Sequence, residues 1–233
     1  MNSKRKLLIS TVSVGLVWAG ISAQAGFLIT NGDFSANPTQ TNNVTGWFDT
    51  VTPNTGNWWE TTWAGPTVSP NGTPVMGLSF YNGTVNWAYQ SIGTKDVGIT
   101  SCLVDFDLGS FTDAGSARNV GVTVSIYQSA SFVGADNLDI NGQSGVTLLG
   151  SVSLSSGSIN PGQVVHEQVS LDLTGANSTD SIYLRFINYQ VDSTEPWAAI
   201  DNVVLTPVPE PTTFALAGLG GMALLCLRLR NKR

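Results

Sequence analysis

Cysteine is nearly absent: two residues in 233, Cys102 and Cys226. Cys226 lies in an apolar run at the C-terminus, so the body of the chain has one thiol and no internal disulfide. Its fold must rest on a packed core. By strand parity Cys102 belongs to an inward face, where a thiol is buried and inert. Histidine is rarer still, with His166 alone. A Ser-His-Asp triad or a zinc centre would have to be built around that one residue, and no motif stands near it. Glycine-rich phosphate loops are missing. So is any internal repeat, and so is any apolar period near 3.6 sustained over three turns, which argues against a helical core.

Positive charge is scarce where it would matter for nucleic acid. Of ten basic residues, seven sit at the two ends. Between Gly26 and Thr206 only Lys95, Arg118 and Arg185 remain, against fifteen acids from Asp33 to Asp201, a net charge of −12. Such a surface repels phosphate backbones and suits a solvated extracellular protein that meets divalent cations.

What the middle does contain is strand pattern. Cys102, Val104, Phe106 and Leu108 alternate with polar neighbours. Val120, Val122, Val124 and Ile126 repeat the pattern, as do Val165, Val169, Leu171 and Leu173, and then Ile182, Leu184 and Phe186. Period two means one buried and one wet face. Further strands are expected at Phe27 to Thr30, Val75 to Phe80, Val85 to Ile92, Val146 to Leu154 and Trp197 to Thr206. Turn dipeptides such as Asn71-Gly72, Asn82-Gly83 and Asn141-Gly142 separate them. Eight to ten strands at this spacing predict an all-β fold, a two-sheet antiparallel β-sandwich. Asn37 to Thr73 shows little strand pattern and is expected to be a long functional loop.

The ends carry addresses. Lys4, Arg5 and Lys6 precede an apolar stretch from Leu7 to Ile21, and Ala23-Gln24-Ala25 is a small-x-small cleavage site. This is a signal peptide over 1–25, read by the Sec translocon, with the mature chain starting at Gly26; an uncleaved anchor helix is the other reading. At the far end, Thr212 to Leu227 is uncharged and mostly apolar. As a helix those residues rise about 24 Å, short of a ~30 Å hydrocarbon core. Arg228, Arg230, Lys232 and Arg233 would hold the tail on the cytoplasmic side. A short transmembrane helix with a transient or weak hold follows, its domain facing outward.

Pro209-Glu210-Pro211, the short apolar helix and the basic end (Arg228, Arg230) together resemble the PEP-CTERM sorting signal of Gram-negative bacteria. The resemblance covers the last 26 residues. It implies an exosortase, a membrane-embedded cysteine transpeptidase-like enzyme, as processing partner, removal of the tail, and delivery to the cell surface or extracellular matrix. Pro209 and Pro211 keep the segment extended. An ordinary single-pass anchor on a proline-rich stalk is the alternative. The domains are then 1–25 signal peptide, 26–206 β-sandwich and 207–233 sorting signal.

Ile29-Thr30-Asn31-Gly32-Asp33-Phe34-Ser35 with Gly46-Trp47, and Ala199-Ile200-Asp201-Asn202-Val203-Val204-Leu205 at the close, resemble the opening and last strand of galactose-binding-like and carbohydrate-binding-module jelly rolls. That resemblance implies that first and last strands lie together and share a structural Ca²⁺, with Asp33 and Asp201 as its carboxylates. Ser35 stands where relatives often have Glu. The other reading is a turn hydrogen bond for Asp33 and a strand cap for Asp201.

Tryptophan supplies the last candidate. Trp47, Trp58, Trp59, Trp63 and Trp87 fall within 41 residues, with Tyr81 and Tyr89 close by. Flat rings stack on the apolar C–H faces of sugars, while Asn54, Asn57, Glu60 and Gln90 are placed to bond hydroxyls. Trp58, Trp59, Trp63 and Tyr81 are the expected carbohydrate-binding residues; Trp47 and Trp87 have the look of core. Asp105 and Asp107 share a strand face at a spacing compatible with a glycosidase pair, although two acids on an outer face usually mark solvated surface. The expectation is an exported, non-enzymatic protein that binds or organises exopolysaccharide in envelope or biofilm. The alternatives are a self-associating structural matrix protein, and a glycoside hydrolase or lyase.

Overall fold

A computed structural model describes residues 27–36, 44–49, 58–60, 75–78, 80–81, 84–110, 117–160, 163–189 and 198–210; at 58–60, 80, 81, 84 and 118 it describes the backbone only. Ala23 and Ala25 of the expected cleavage site, the stacking candidate Trp63, and Pro211, Arg228 and Arg230 lie outside the described residues, as does the expected transmembrane helix. No helix among the described residues is long and apolar enough to cross a membrane.

Twelve strands make up the described chain: β1 Phe48–Asp49, β2 Trp58–Glu60, β3 Val75–Leu78, β4 Phe80–Tyr81, β5 Thr84–Val85, β6 Trp87–Thr94, β7 Ile99–Ser110, β8 Arg118–Ser129, β9 Thr147–Ile159, β10 Val164–Asp172, β11 Ser181–Asn188 and β12 Ala198–Pro209. They form two five-stranded sheets, β1-β6-β11-β8-β9 and β10-β7-β12-β3-β2, beside a small β4–β5 hairpin. All pairings are antiparallel. The sandwich expected from the alternating pattern is the fold.

The core lies between the sheets and is made of the alternating residues. Cys102, Val104, Phe106 and Leu108 of β7, Val120, Val122, Val124 and Ile126 of β8 and Ile182, Leu184 and Phe186 of β11 are fully buried there. Phe106 and Phe186 meet edge to face at 5.3 Å across the sheets. Burying such a side chain contributes about 1.5–3 kcal/mol. Val165 departs from its pattern and is 40% exposed, because it stands near the start of edge strand β10, which pairs with β7 on one side.

Two boundaries differ from expectation. Phe27 to Thr30 is not a ladder strand. Leu28 N–H donates to Ile92 C=O at 3.1 Å, and the Gln90 amide spans Thr30, accepting from its N–H at 2.9 Å and donating to its C=O at 3.2 Å. A side chain thus takes the place of a neighbouring strand. At the other end β12 runs on past Thr206 through Pro209.

The stretch between Asn37 and Thr73 is not wholly irregular, since β1 and β2 lie in it. Each is two or three residues long and sits at the edge of its sheet. So short a run shows no readable period, which is why the pattern misses it.

Candidate functional site

The opening motif folds into a knot that ties the two sheets. Asn31 takes a left-handed conformation (φ 53°); its side chain donates to Thr45 C=O and accepts from Ala36 N–H. Phe34 inserts into the core beside Trp47, ring centres 5.9 Å apart. Between them Gly32 C=O accepts from Val203 N–H of β12 at 2.9 Å. A bulge in β12 makes this possible. Asn202 is left-handed (φ 53°), the register shifts between Asp201 and Val204, and Asp201 Oδ1 accepts from Asn202 N–H at 2.8 Å. The first turn and last strand do meet. Asp33 is exposed and its Oδ1 accepts from Ser35 N–H and Oγ, whereas Asp201 is buried. Each carboxylate serves its own turn. No group of three or more His, Cys, Asp or Glu side chains suited to a metal occurs among the described residues. A cation at this corner would draw on backbone carbonyls as well as carboxylates.

The aromatic candidates separate. Trp58 and Trp59 lie on β2, in register with Gly77 and Met76 of β3, at the free edge of the second sheet. Tyr81 is in the β4–β5 hairpin opposite Thr84. Gln90, expected near a sugar, is instead buried and committed to Thr30. Trp47 is core, and its indole N–H reaches Asn31 C=O at 3.4 Å.

Trp87 and Tyr89 belong to a second apolar cluster, on the outer face of the β6-containing sheet, with Tyr127, Ile140 and Tyr183. This face is covered by the chain itself. The β8–β9 connection, residues 130–146, lies across it as a strap. Tyr183 hydroxyl donates to Phe132 C=O at 2.8 Å. Tyr89 hydroxyl accepts from Ala135 N–H at 3.2 Å and donates to Leu138 C=O at 2.9 Å. Arg185 grips Asp139 with two bonds, Nε to Oδ1 at 2.8 Å and a terminal nitrogen to Oδ2 at 2.6 Å. Burial pushes the phenols of Tyr89, Tyr127 and Tyr183 upward, so they remain donors. The sequence held one signal for the strap: a lone arginine inside an apolar strand requires a buried carboxylate partner.

On the outer face of the other sheet the β10–β7 register sets His166 against Asp107 and Gln168 against Asp105. His166 Nδ1 stands 3.2 Å from Asp107 and Nε2 3.7 Å from Asp105. Gln168 donates to Asp105 at 2.6 Å and Asn202 to Asp107 at 2.8 Å. Both carboxylates are therefore already engaged. The Cys102 thiol is raised to about 12 by burial and is no nucleophile.

The remaining site is the C-terminal junction. Pro207, Val208 and Pro209 pair with Cys102, Ser101 and Ile99 of β7, and Glu210 N–H donates to Gly98 C=O at 2.7 Å. Thr100 Oγ1 reaches Val208 C=O at 3.5 Å. Of the expected sorting residues, Pro209 and Glu210 are thus docked on the folded domain.

Fold and junction together define a class: a β-sandwich with a C-terminal export signature. Residues 207–232 match the family model of the PEP-CTERM protein-sorting motif. No curated protein sequence matches the chain. Among solved structures it is similar to an arabinose-bound GH51 α-L-arabinofuranosidase (TM-score 0.53, 13% identity, 78% of this chain and 26% of that one). It is also similar to a CBM61 module in complex with β-1,4-galactotriose (0.45, 10%, 78% and 99%). A third is the CBM22-2 xylan-binding domain of Paenibacillus barcinonensis Xyn10C (0.44, 10%, 76% and 98%). The chain spans about a quarter of the arabinofuranosidase. The likeness to the arabinofuranosidase, at 13% identity, is one of fold alone, and the fold is the two-sheet antiparallel β-sandwich described above. The chain carries a PEP-CTERM sorting motif, the mark of an exported surface protein held at the membrane before processing.

Proposed function

We propose that the protein is exported through the Sec translocon, processed by an exosortase-type enzyme and delivered to the envelope surface or extracellular matrix of a Gram-negative bacterium, where its sandwich binds or organises exopolysaccharide. The observation that carries the reading is the sorting motif over 207–232, which begins on the last strand of an antiparallel β-sandwich. The tail serves delivery, and the acidic, disulfide-free domain is the cargo. Glycan contact is assigned to the β2 edge, with Trp58 and Trp59, and to Trp63 and Tyr81. We assign no catalytic residue. A structural Ca²⁺ near Asp33 and Asp201 accompanies this reading on the strength of the resemblance; an unchanged melting temperature in EDTA discards it.

A second reading, a structural matrix protein, is favoured by one observation: the outer-face aromatics Trp87, Tyr89, Tyr127 and Tyr183 are buried under the chain's own strap and serve packing. Glycan-array binding separates the two. Binding that falls at least tenfold in Trp58→Ala and in Trp63→Ala supports the carbohydrate reading, and no binding with concentration-dependent assembly supports the structural one. Mass spectrometry of surface protein from the host tests delivery: loss of residues beyond the Pro-Glu-Pro is expected, and an intact basic tail in the surface fraction overturns it.

A further inference from the structure

The sorting tripeptide and the folded domain are not separated by a linker. The matched segment starts at residue 207, yet Pro207, Val208 and Pro209 are the last three residues of β12. Glu210 is still bonded to Gly98. The apolar run opens at Thr212. Two residues of extended chain reach at most about 7 Å, comparable to the ~5–8 Å headgroup layer on one side of a bilayer. If Thr212 to Leu227 enter the membrane, as the proposed processing requires, this end of the sandwich lies within a headgroup layer of it.

An enzyme that cuts a peptide beside the membrane must bind the chain extended and reach its backbone groups. Its thiolate attacks a peptide carbonyl near the tripeptide. The C–N bond breaks, the tail leaves as a protonated amine, and the acyl group passes to water or an amine acceptor. In the docked strand the backbone groups such an enzyme reads are already used. Val208 C=O faces Thr100, and Glu210 N–H is held by Gly98.

The docking is nevertheless weak by design of sequence. Pro207 and Pro209 have no N–H to give a ladder. The register shifts between Val208 and Pro209. On its other side β12 pairs with β3 only from Ala198 to Ile200, so the end of the strand is held by β7.

We infer that the end of β12 is a latch: the tripeptide is presented to the processing enzyme only when the last pairs with β7 open, and that opening sets the rate of tail removal. The inference rests on the proposed processing of this tail and adds to it a closed state with a defined address, Ile99 to Ser101.

The test is pulse–chase of the full precursor in its host, following tail loss by mass. Ser101→Cys with Val208→Cys, placed at paired Cα positions in a Cys102→Ala background, staples the latch in an oxidising compartment. The stapled precursor is expected to lose its tail at least tenfold more slowly than the same protein kept reduced. Inserting Gly-Ser-Gly between Val208 and Pro209 frees the tripeptide without changing it, and should lose its tail faster than wild type; an unchanged rate overturns the latch. A staple that forms and leaves the rate unchanged overturns the latch, because the enzyme then reads the motif in place, while the processing reading stands. Wild-type and insertion precursors that both retain their tails overturn the processing reading and the latch with it.

Discussion

At the residue scale, Gly32 shows how one position joins two sheets. A Cβ there would lie 2.3 Å from Val203 C=O and 2.8 Å from the Ile29 side chain. The carbonyl is backbone and cannot rotate away, so Gly32→Ala should cost about 1–3 kcal/mol, read as a lower urea midpoint at unchanged slope. Asp172 makes a different kind of prediction. The Thr174 hydroxyl at 2.6 Å, and then the Thr174 N–H at 2.8 Å, hold its carboxyl below the usual carboxylate range. A depressed folded value contributes stability above the unfolded value of about 3.9, and that contribution is lost as pH falls through the folded one. Thr174→Val should therefore raise the Asp172 titration midpoint toward the usual range in a carboxyl NMR titration. Gly32 was visible in the sequence within the opening motif, and Asp172 carried no mark of its own. The partner of Gly32 was not visible, since Val203 and Gly32 are far apart in the chain and meet through a bulge.

At the scale of elements, legibility follows length and one-sidedness. Strands β7 and β10 bury one face against the core, and period two gave their inward residues apart from Val165. On β6 and β11 the pattern is less informative, because Trp87, Tyr89 and Tyr183 make the second face apolar too. The sequence marks those rings as notable but not what covers them; that is decided by the strap from 130 to 146. Removing the arginine clamp should loosen this element first. Arg185→Met leaves Asp139 without its bidentate partner and should cost about 2–3 kcal/mol. Amide exchange should rise most at Ala135 and nearby strap residues, ahead of the β7 and β8 core. Uniform faster exchange across both sheets would instead make Arg185 a core residue like any other. The β2 strand illustrates the opposite limit: three residues, Trp58 to Glu60, form an edge through register with Val75 to Gly77, which no local pattern encodes.

For the whole molecule, charge and the placement of the ends dominate. Fifteen acids against three bases between Gly26 and Thr206 repel one another in the compact state. Raising ionic strength should therefore increase the melting temperature of the mature domain by a few degrees in calorimetry, because salt shortens the reach of that repulsion to about 10 Å at 0.1 M. The two ends leave the sandwich at one pole, Leu28 beside Ile92 near the end of β6 and Glu210 on Gly98 just before β7. The amino-acid sequence by itself determined the β class, the inward residues of one-sided strands such as β7 and the sorting motif at the C-terminus, because alternation, turn chemistry and a short motif are local properties of the chain. Only the tertiary structure decided that Gln90 is spent on Thr30, that the aromatic face lies under a strap, that His166 faces Asp105 and Asp107, and that the sorting tripeptide begins inside a strand. Each of these depends on which distant segments pair and in what register, and register is set by the packing of both sheets together.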